Sequence, residues 1–284
     1  MITGCEKYDE YIKDYKYSAV YFATQKPLRT IVSYDEMQFK VGVALGGKRN
    51  NSEGESAKFE IDAALLDDEE LTNGNDFMLL PQNYYSLSDD NTMNIPSGEF
   101  IGDVTVTLNK ETFTADPLST QNNYALPIRI TETSTDSILN GKGYTILVVK
   151  YISAYHGTYY HKGEQTEVDG TGAVVEQTVY NDEDLINNET WAVGTVDATT
   201  ISTPAAGTFA NGTLLLSVNE DNYDVTITSD NTNVEITSET GTYNLEDREF
   251  YLEYAFTRDS KMYQVKDTLV LRQAPERDLY FEEW

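Results

Sequence analysis

Stretches in which apolar and polar residues alternate, each closed off by Gly, Asn or Asp, recur throughout this chain and restrict it to an all-β fold. "FEIDAALL" (59–66), "FIGDVTVTL" (100–108), "YALPIRITET" (124–133) and "YDVTITS" (223–229) carry the two-residue period of half-buried strands. Thr, Val, Ile and Tyr, which suit a pleated surface, fill them. "TNGND" (72–76), "SDDNT" (88–92), "NGKG" (140–143) and "VDGTG" (168–172) supply the turns. Helical periodicity is nowhere sustained. "SYDEMQFKVGVAL" (33–45) reads as a strand because of its β-branched residues and Gly42, and "DDEELTNGND" (67–76) allows one short helical turn, with acids suited to a helix start.

The two halves differ in texture. Over residues 15–150 the strands are separated by longer irregular loops, the rhythm of a β-sandwich. Over 151–284 long strands follow closely. "EFYLEYAFTRDSKMYQVKDTLVLRQ" (249–273) predicts a hairpin about "RDSK", and "TLLLSVNEDNYDVTITS" (213–229) a second about "NEDN". Successive hairpins of this length suggest an up-and-down meander or an open barrel. No Pro/Ser-rich linker separates the halves, so the domains are expected to pack directly on each other.

Charge narrows the function. Asp and Glu number 48 against 20 Lys and Arg, a formal net charge of -28. Such a surface repels phosphate backbones and anionic headgroups, which argues against nucleic-acid binding. No apolar run approaches the roughly 20 residues of a membrane helix. No secretory hydrophobic region is visible, so either there was none or the chain starts at a processing point.

Chemistry-bearing motifs are scarce. His156 and His161 lie five residues apart in "YHGTYYHKG" (155–163) and read as aromatic-flanked surface residues, too few for a zinc site. No phosphate loop, nucleophile elbow, HExxH or EF-hand pattern occurs. "LLDDEEL" and "SDDNT" lack full calcium-ligand spacing. No metal and no cofactor are expected.

Aromatic residues are more informative: 21 Tyr, 10 Phe and 2 Trp. Most tyrosines are expected in sheets. Those beside polar, Gly-bearing segments offer flat faces on which sugar rings stack while neighbouring amides and carboxylates take the hydroxyls. On this ground Trp191, Tyr84, Tyr85, Tyr155, Tyr159 and Tyr160 are the candidate glycan-binding rings, with Trp191 the preferred exposed one.

Three blocks, "FEIDAALLDDEELTNGNDFMLLPQNYYSLSDDNTMNIPSGEFIGDVTVTL" (59–108), "YALPIRITETSTDSILNGKGYTILVVKY" (124–151) and "YHGTYYHKGE" (155–164), resemble a two-domain Bacteroidetes surface-lipoprotein family. That family joins an N-terminal to a C-terminal domain of unknown function. The N-terminal domain also occurs with family-18 glycoside hydrolase modules, and the genes often lie in polysaccharide-utilisation loci. The resemblance is specific over about residues 15–165 and looser beyond. It implies that "ITGC" (2–5) is a lipobox with Cys5 as the lipid-bearing residue, and that Glu6, Asp9 and Glu10 resemble an export tag to the cell surface. The hydrolase motif D-x-x-D-x-D-x-E is not matched by its nearest approach, "NDEDLINNE" (181–189), so no catalytic residue is carried over.

The sequence is therefore read as a tether over 1–14, an Ig-like β-sandwich over 15–150 and a second antiparallel β domain over 151–284, for which a lipocalin-like open barrel is one form. The expected function is non-catalytic binding of a glycan, such as a host N-glycan or chitin-like chain, by an outer-membrane lipoprotein on the extracellular face. The bound glycan would be presented to a partner glycoside hydrolase and an outer-membrane transporter. The membrane would be touched through the lipid only. The alternative is an adhesin or scaffold that binds protein partners through sheet edges.

Overall fold

The computed structural model describes residues 17–34, 36–279 and 282–284; Cys5 and the expected tether lie outside the described residues. Eleven strands begin the first domain: β1 (Ala19–Tyr21), β2 (Pro27–Val32), β3 (Gln38–Gly46), β4 (Glu55–Ile61), β5 (Met78–Leu79), β6 (Tyr85–Leu87), β7 (Thr92–Ile95), β8 (Ile101–Leu108), β9 (Tyr124–Thr133), β10 (Ser137–Ile138) and β11 (Tyr144–Ile152). One sheet runs β10–β1–β3–β8–β6; the other runs β2–β11–β9–β4–β7, with β5 beside β9. The alternation read from the sequence sets their inner faces: Phe39, Val41, Val43 and Leu45 from β3 meet Leu126, Ile128 and Ile130 from β9 in one core.

The outer face of the larger sheet is covered as well, which is why "YTILVV" is apolar without alternation. Ile146 and Val148 pack beneath Leu65, Leu71, Phe77 and Trp284. The expected helical turn forms over Glu69–Thr72, capped by the Asp68 carboxylate, which accepts from the Glu70 and Leu71 amides.

The second domain contains β12 (Gly157–Val168), β13 (Val174–Tyr180), β14 (Glu189–Thr195), β15 (Thr200–Ser202), β16 (Ala205–Ala206), β17 (Phe209–Ala210), β18 (Leu215–Val218), β19 (Asp224–Thr228), β20 (Glu235–Asn244), β21 (Glu249–Arg258) and β22 (Lys261–Gln273). Both expected hairpins form, as β18–β19 and β21–β22. In "RDSK", Asp259 and Ser260 take φ of 51° and 65°, the paired left-handed conformation whose twist suits a tight hairpin.

The barrel is closed rather than open. From β12 through β14, β15 and β18 to β22 each strand pairs antiparallel with the next, and β22 returns to β12 along Thr158–Val168. Its lumen is no lipocalin cup: Trp191, Leu216, Phe250, Leu252, Tyr254 and Phe256 fill it, as expected of a small barrel. One end is plugged by the segment carrying β16 and β17. There the Gly207 amide donates to Tyr254 Oη at 2.7 Å, and Gln165 and Thr208 exchange two hydrogen bonds. Gly207 has φ 54°, and a Cβ there would lie 2.2 Å from Gln165 Oε1, so the plug requires glycine at this point.

The chain end returns to the first domain as β23 (Glu282–Glu283), which pairs with β2, and Trp284 donates from Nε1 to Ile146 O at 2.7 Å. The last residues of the expected 151–284 domain thus complete the first sheet. The domains also touch directly: Ser33 Oγ accepts from the Ala154 amide, and Tyr34 Oη donates to Glu276 at 2.9 Å.

Candidate functional site

The alternation that builds the barrel turns most of the expected binding rings inward. Trp191 is 2% exposed and stacks on His161, with ring centroids 3.6 Å apart. Tyr159 is fully buried and donates to Tyr155 O; Tyr85 and Tyr155 are buried too. Trp191 therefore cannot offer a face to a sugar from solvent, and neither can Tyr159 or Tyr85. Tyr84 is half-buried, donates to Asp116 Oδ2 at 3.0 Å, and packs edge-on against Phe113 and Tyr124. Tyr160 is half-buried on the outer wall, where the Arg272 guanidinium sits 5.8 Å from its ring centre. The six do not converge on one surface.

His161 is not at the surface either. It is 3% exposed, and its Nε2 lies 2.9 Å from Asp267 Oδ1. Asp267 is wholly buried and also accepts from Tyr180 Oη at 2.6 Å and Tyr254 Oη at 2.8 Å. Three partners compensate a carboxylate that would otherwise be prohibitively costly inside a barrel. His156, half-buried just before β12, has Nδ1 3.2 Å from Thr195 Oγ1.

Only one predicted ring, Tyr155, belongs to a concave aromatic site, and it does so with partners that sequence reasoning missed. Where the barrel meets the sandwich, a groove of about 250 Å³ is lined by Tyr34, Tyr155, Tyr223, Tyr243, Arg248, Lys110 and Glu220. Lys110 Nζ and Glu220 Oε1 stand 3.8 Å apart, and both residues also line a wider groove of about 820 Å³ with Thr114, Pro117, Asp197 and Thr199. Tyr155 meets Tyr243 edge-to-face at 4.9 Å, and Tyr223 flanks Tyr243 at 6.5 Å. Tyr34, 40% exposed, closes the sandwich side.

Polar groups hold these rings in place. Arg248 donates to Ala154 O at 3.1 Å and pairs with Glu276 at 3.5 Å; Tyr34 Oη donates to Glu276 at 2.9 Å. Burial pushes the Tyr155 hydroxyl up, with the nearby Glu220 charge adding to it, so the groove presents neutral phenols.

The backbone carries a second sign of use. Tyr223 and Arg248 close the β18–β19 and β20–β21 hairpins with φ of 60° and 57°. Glycine or asparagine would sit there at lower cost, whereas a large side chain costs about 1–2 kcal/mol. Two costly side chains converge on one groove. In sequence they stand in "NEDNYD" (219–224) and "LEDREF" (245–250), where a bulky residue follows a turn; that was the available signal.

The buried phenols set the alkaline limit of the fold. Burial pushes Tyr151 up to about 12, and Tyr155, Tyr159, Tyr180 and Tyr254 higher still. Their stabilisation is complete below the unfolded value of about 10 and is lost as pH rises through the folded values, because the unfolded chain then binds fewer protons. A phenolate absorbance titration should therefore show the core tyrosines ionising only together with loss of the β circular dichroism. A single transition near 10 with the fold intact would contradict this.

A family model described as an N-terminal domain matches residues 13–137, and one described as a C-terminal domain matches residues 143–270. No curated protein matches the sequence. A crystal structure of a protein of unknown function from Bacteroides ovatus is 24% identical, superposes with a TM-score of 0.79, and covers 95% of this chain and 99% of its own; it shows the same two-domain fold. A candidate carbohydrate-binding protein from Bacteroides ovatus is 12% identical over 90% of this chain and 99% of its own, with a TM-score of 0.37. EndoBT-3987 from Bacteroides thetaiotamicron, solved with a Man5GlcNAc product, is 23% identical over 46% of this chain and 31% of its own, with a TM-score of 0.35. At those scores the last two carry no argument about this fold.

Proposed function

The chain belongs to a two-domain Bacteroidetes family of unknown function through both of its domains, and from that premise we propose that it is a non-catalytic glycan-binding protein whose ligand lies in the interdomain tyrosine groove. The observation that carries the reading is the convergence of Tyr34, Tyr155, Tyr223 and Tyr243 with Arg248, Lys110 and Glu220 in one concave surface between domains, a common location for ligand sites. A pyranose would lay its C–H face on Tyr34 and Tyr223, the two rings that reach solvent, above the buried Tyr155 and Tyr243, while the charged groups take its hydroxyls. Each stacking contact contributes about 1 kcal/mol, so single-site affinity should be weak, roughly micromolar to millimolar. The net charge disfavours anionic glycans, and neutral N-glycan or chitin-like chains fit the resemblance to proteins found beside family-18 hydrolases. A glycan array followed by calorimetric titration of the hits tests this. Binding to a related set of neutral glycans supports it, and a blank array overturns it.

On the same reading the protein sits at the cell surface through a lipid on Cys5 and hands its glycan to a partner hydrolase and an outer-membrane transporter. Labelled fatty acid should be incorporated by the natural precursor and not by its Cys5→Ala variant; equal labelling of both would remove the anchor.

One observation favours the alternative of a protein-binding scaffold. β13 ends its sheet with an unpaired edge, exposes Val174, Val175 and Val179, and carries a single charge, Glu176. Such an edge can accept a partner's strand. A blank glycan array together with a co-purifying partner lost in Val179→Pro would establish this reading.

A further inference from the structure

The barrel splits on one side. β12 pairs with β14 over Gly157–His161 and with β13 over Gly163–Val168, so β13 and β14 part company beyond His161. The loop between Tyr180 and Glu189 spans the fork, organised by Asn188 Nδ2, which donates to Asp182 O, Asp184 O and Leu185 O. Between the fork and the plug lies a cleft of about 500 Å³, lined by His161, Thr178, Tyr180, Asn181, Glu189 and Thr208 among others.

His161 forms part of its floor. The Asp267 carboxylate only accepts, so Nε2 carries a proton, and in the neutral imidazole Nδ1 is an acceptor. Among the described residues nothing donates to Nδ1, although the ring is 97% buried and lines the cleft. Asp267, Tyr180, Tyr254 and the face of Trp191 hold the ring in place. Glu189, exposed, is the direct cross-strand neighbour of His161 on the same face, so its carboxylate is a second acceptor within reach. A floor rich in acceptors, with amide and hydroxyl groups on the walls, calls for a ligand rich in donors.

We infer that this cleft is a second ligand site, taking a single uncharged, hydroxyl-bearing sugar ring whose hydroxyl donates to His161 Nδ1 and whose neighbouring hydroxyl reaches Glu189. Asp182 and Glu189 at the rim exclude phosphates, sulfates and uronates by like charge. The site extends the glycan-binding reading, and it shares no lining residue with the interdomain groove.

Trp191 is a built-in reporter, because it stacks on the ring that receives the ligand. In full-length protein carrying Trp284→Phe, it is the one remaining tryptophan. Its emission should change saturably with at least one of methyl α-mannoside, methyl β-galactoside and methyl β-N-acetylglucosaminide, and not with glucuronate. Glu189→Gln and Asn181→Ala, both at exposed positions, should weaken the response by about tenfold, the scale of one lost hydrogen bond to a charged or buried group. Tyr223→Gly, in the groove, should leave it unchanged. No saturable change with any neutral glycoside, a preference for glucuronate, or a response that survives Glu189→Gln but vanishes in Tyr223→Gly would each overturn the inference. In the first two cases groove binding on the array would still stand.

Discussion

Replacement of Asp267 by alanine is expected to destabilise the second domain by about 3–5 kcal/mol, the cost of breaking a buried charged network by removing its centre. The carboxylate has no exposure and receives Tyr180 and Tyr254 hydroxyls while facing His161. Its loss leaves the Tyr180 and Tyr254 hydroxyls without their acceptor and the His161 imidazole without its carboxylate, on strands β12, β13 and β21. Through Tyr254, which also receives the Gly207 amide, the damage extends to the plug. In thermal unfolding the second domain should fall by on the order of 10 °C. Asp267→Asn, which keeps the shape but turns a donor toward one of the hydroxyls, should lose less. If Asp267→Ala moved the midpoint by no more than about 2 °C, water would be replacing the carboxylate and the network would not be what holds the barrel to its plug.

Trp191→Ala has a comparable expected cost, about 3–5 kcal/mol, through cavity formation in a packed barrel. Trp191 fills the lumen against His161 and lies in one core with Val193, Tyr159 and Phe250. The two substitutions share His161 as a neighbour, so the double variant should cost less than their sum. Below its lowered midpoint, Trp191→Ala should still bind glycan in the interdomain groove with wild-type affinity. A variant of wild-type stability that has lost binding would place Trp191 in a ligand site and contradict its position in the core.

These two residues also show where sequence legibility ended. The hairpins were readable because strand alternation and turn chemistry are local: "RDSK" and "NEDN" sit between runs that pair with each other. Closure was not readable. It joins β12 to β22, whose partners His161 and Leu269 are more than a hundred residues apart, and nothing local marks that meeting. The return of Trp284 to β2 is equally remote. Exposure of a ring is a tertiary property, yet part of it was available: in "ETWAVGT" (189–195), Trp191 and Val193 share a face while Thr190 and Ala192 share the other, the signature of a core-facing tryptophan. Trp191 stands beside polar, glycine-bearing segments, but strand parity decided its direction. The groove residues escaped because Tyr34, Tyr223 and Arg248 come from three distant turns that only the domain packing brings together. The one local mark, carried by Tyr223 and Arg248, is a bulky residue at a position where the turn prefers glycine.

That mark gives the most direct test of the interdomain site. Tyr223→Gly removes a ring from the groove while relieving a φ of 60°, so relief of strain offsets the lost packing and stability should stay within about 1 kcal/mol of wild type. On the glycan array, and by titration of its hits, the account predicts that this variant remains folded with an unchanged unfolding midpoint and loses about tenfold or more in affinity for every neutral glycan the wild type binds. Full retention of binding by the folded variant would contradict the placement of the glycan in the interdomain groove.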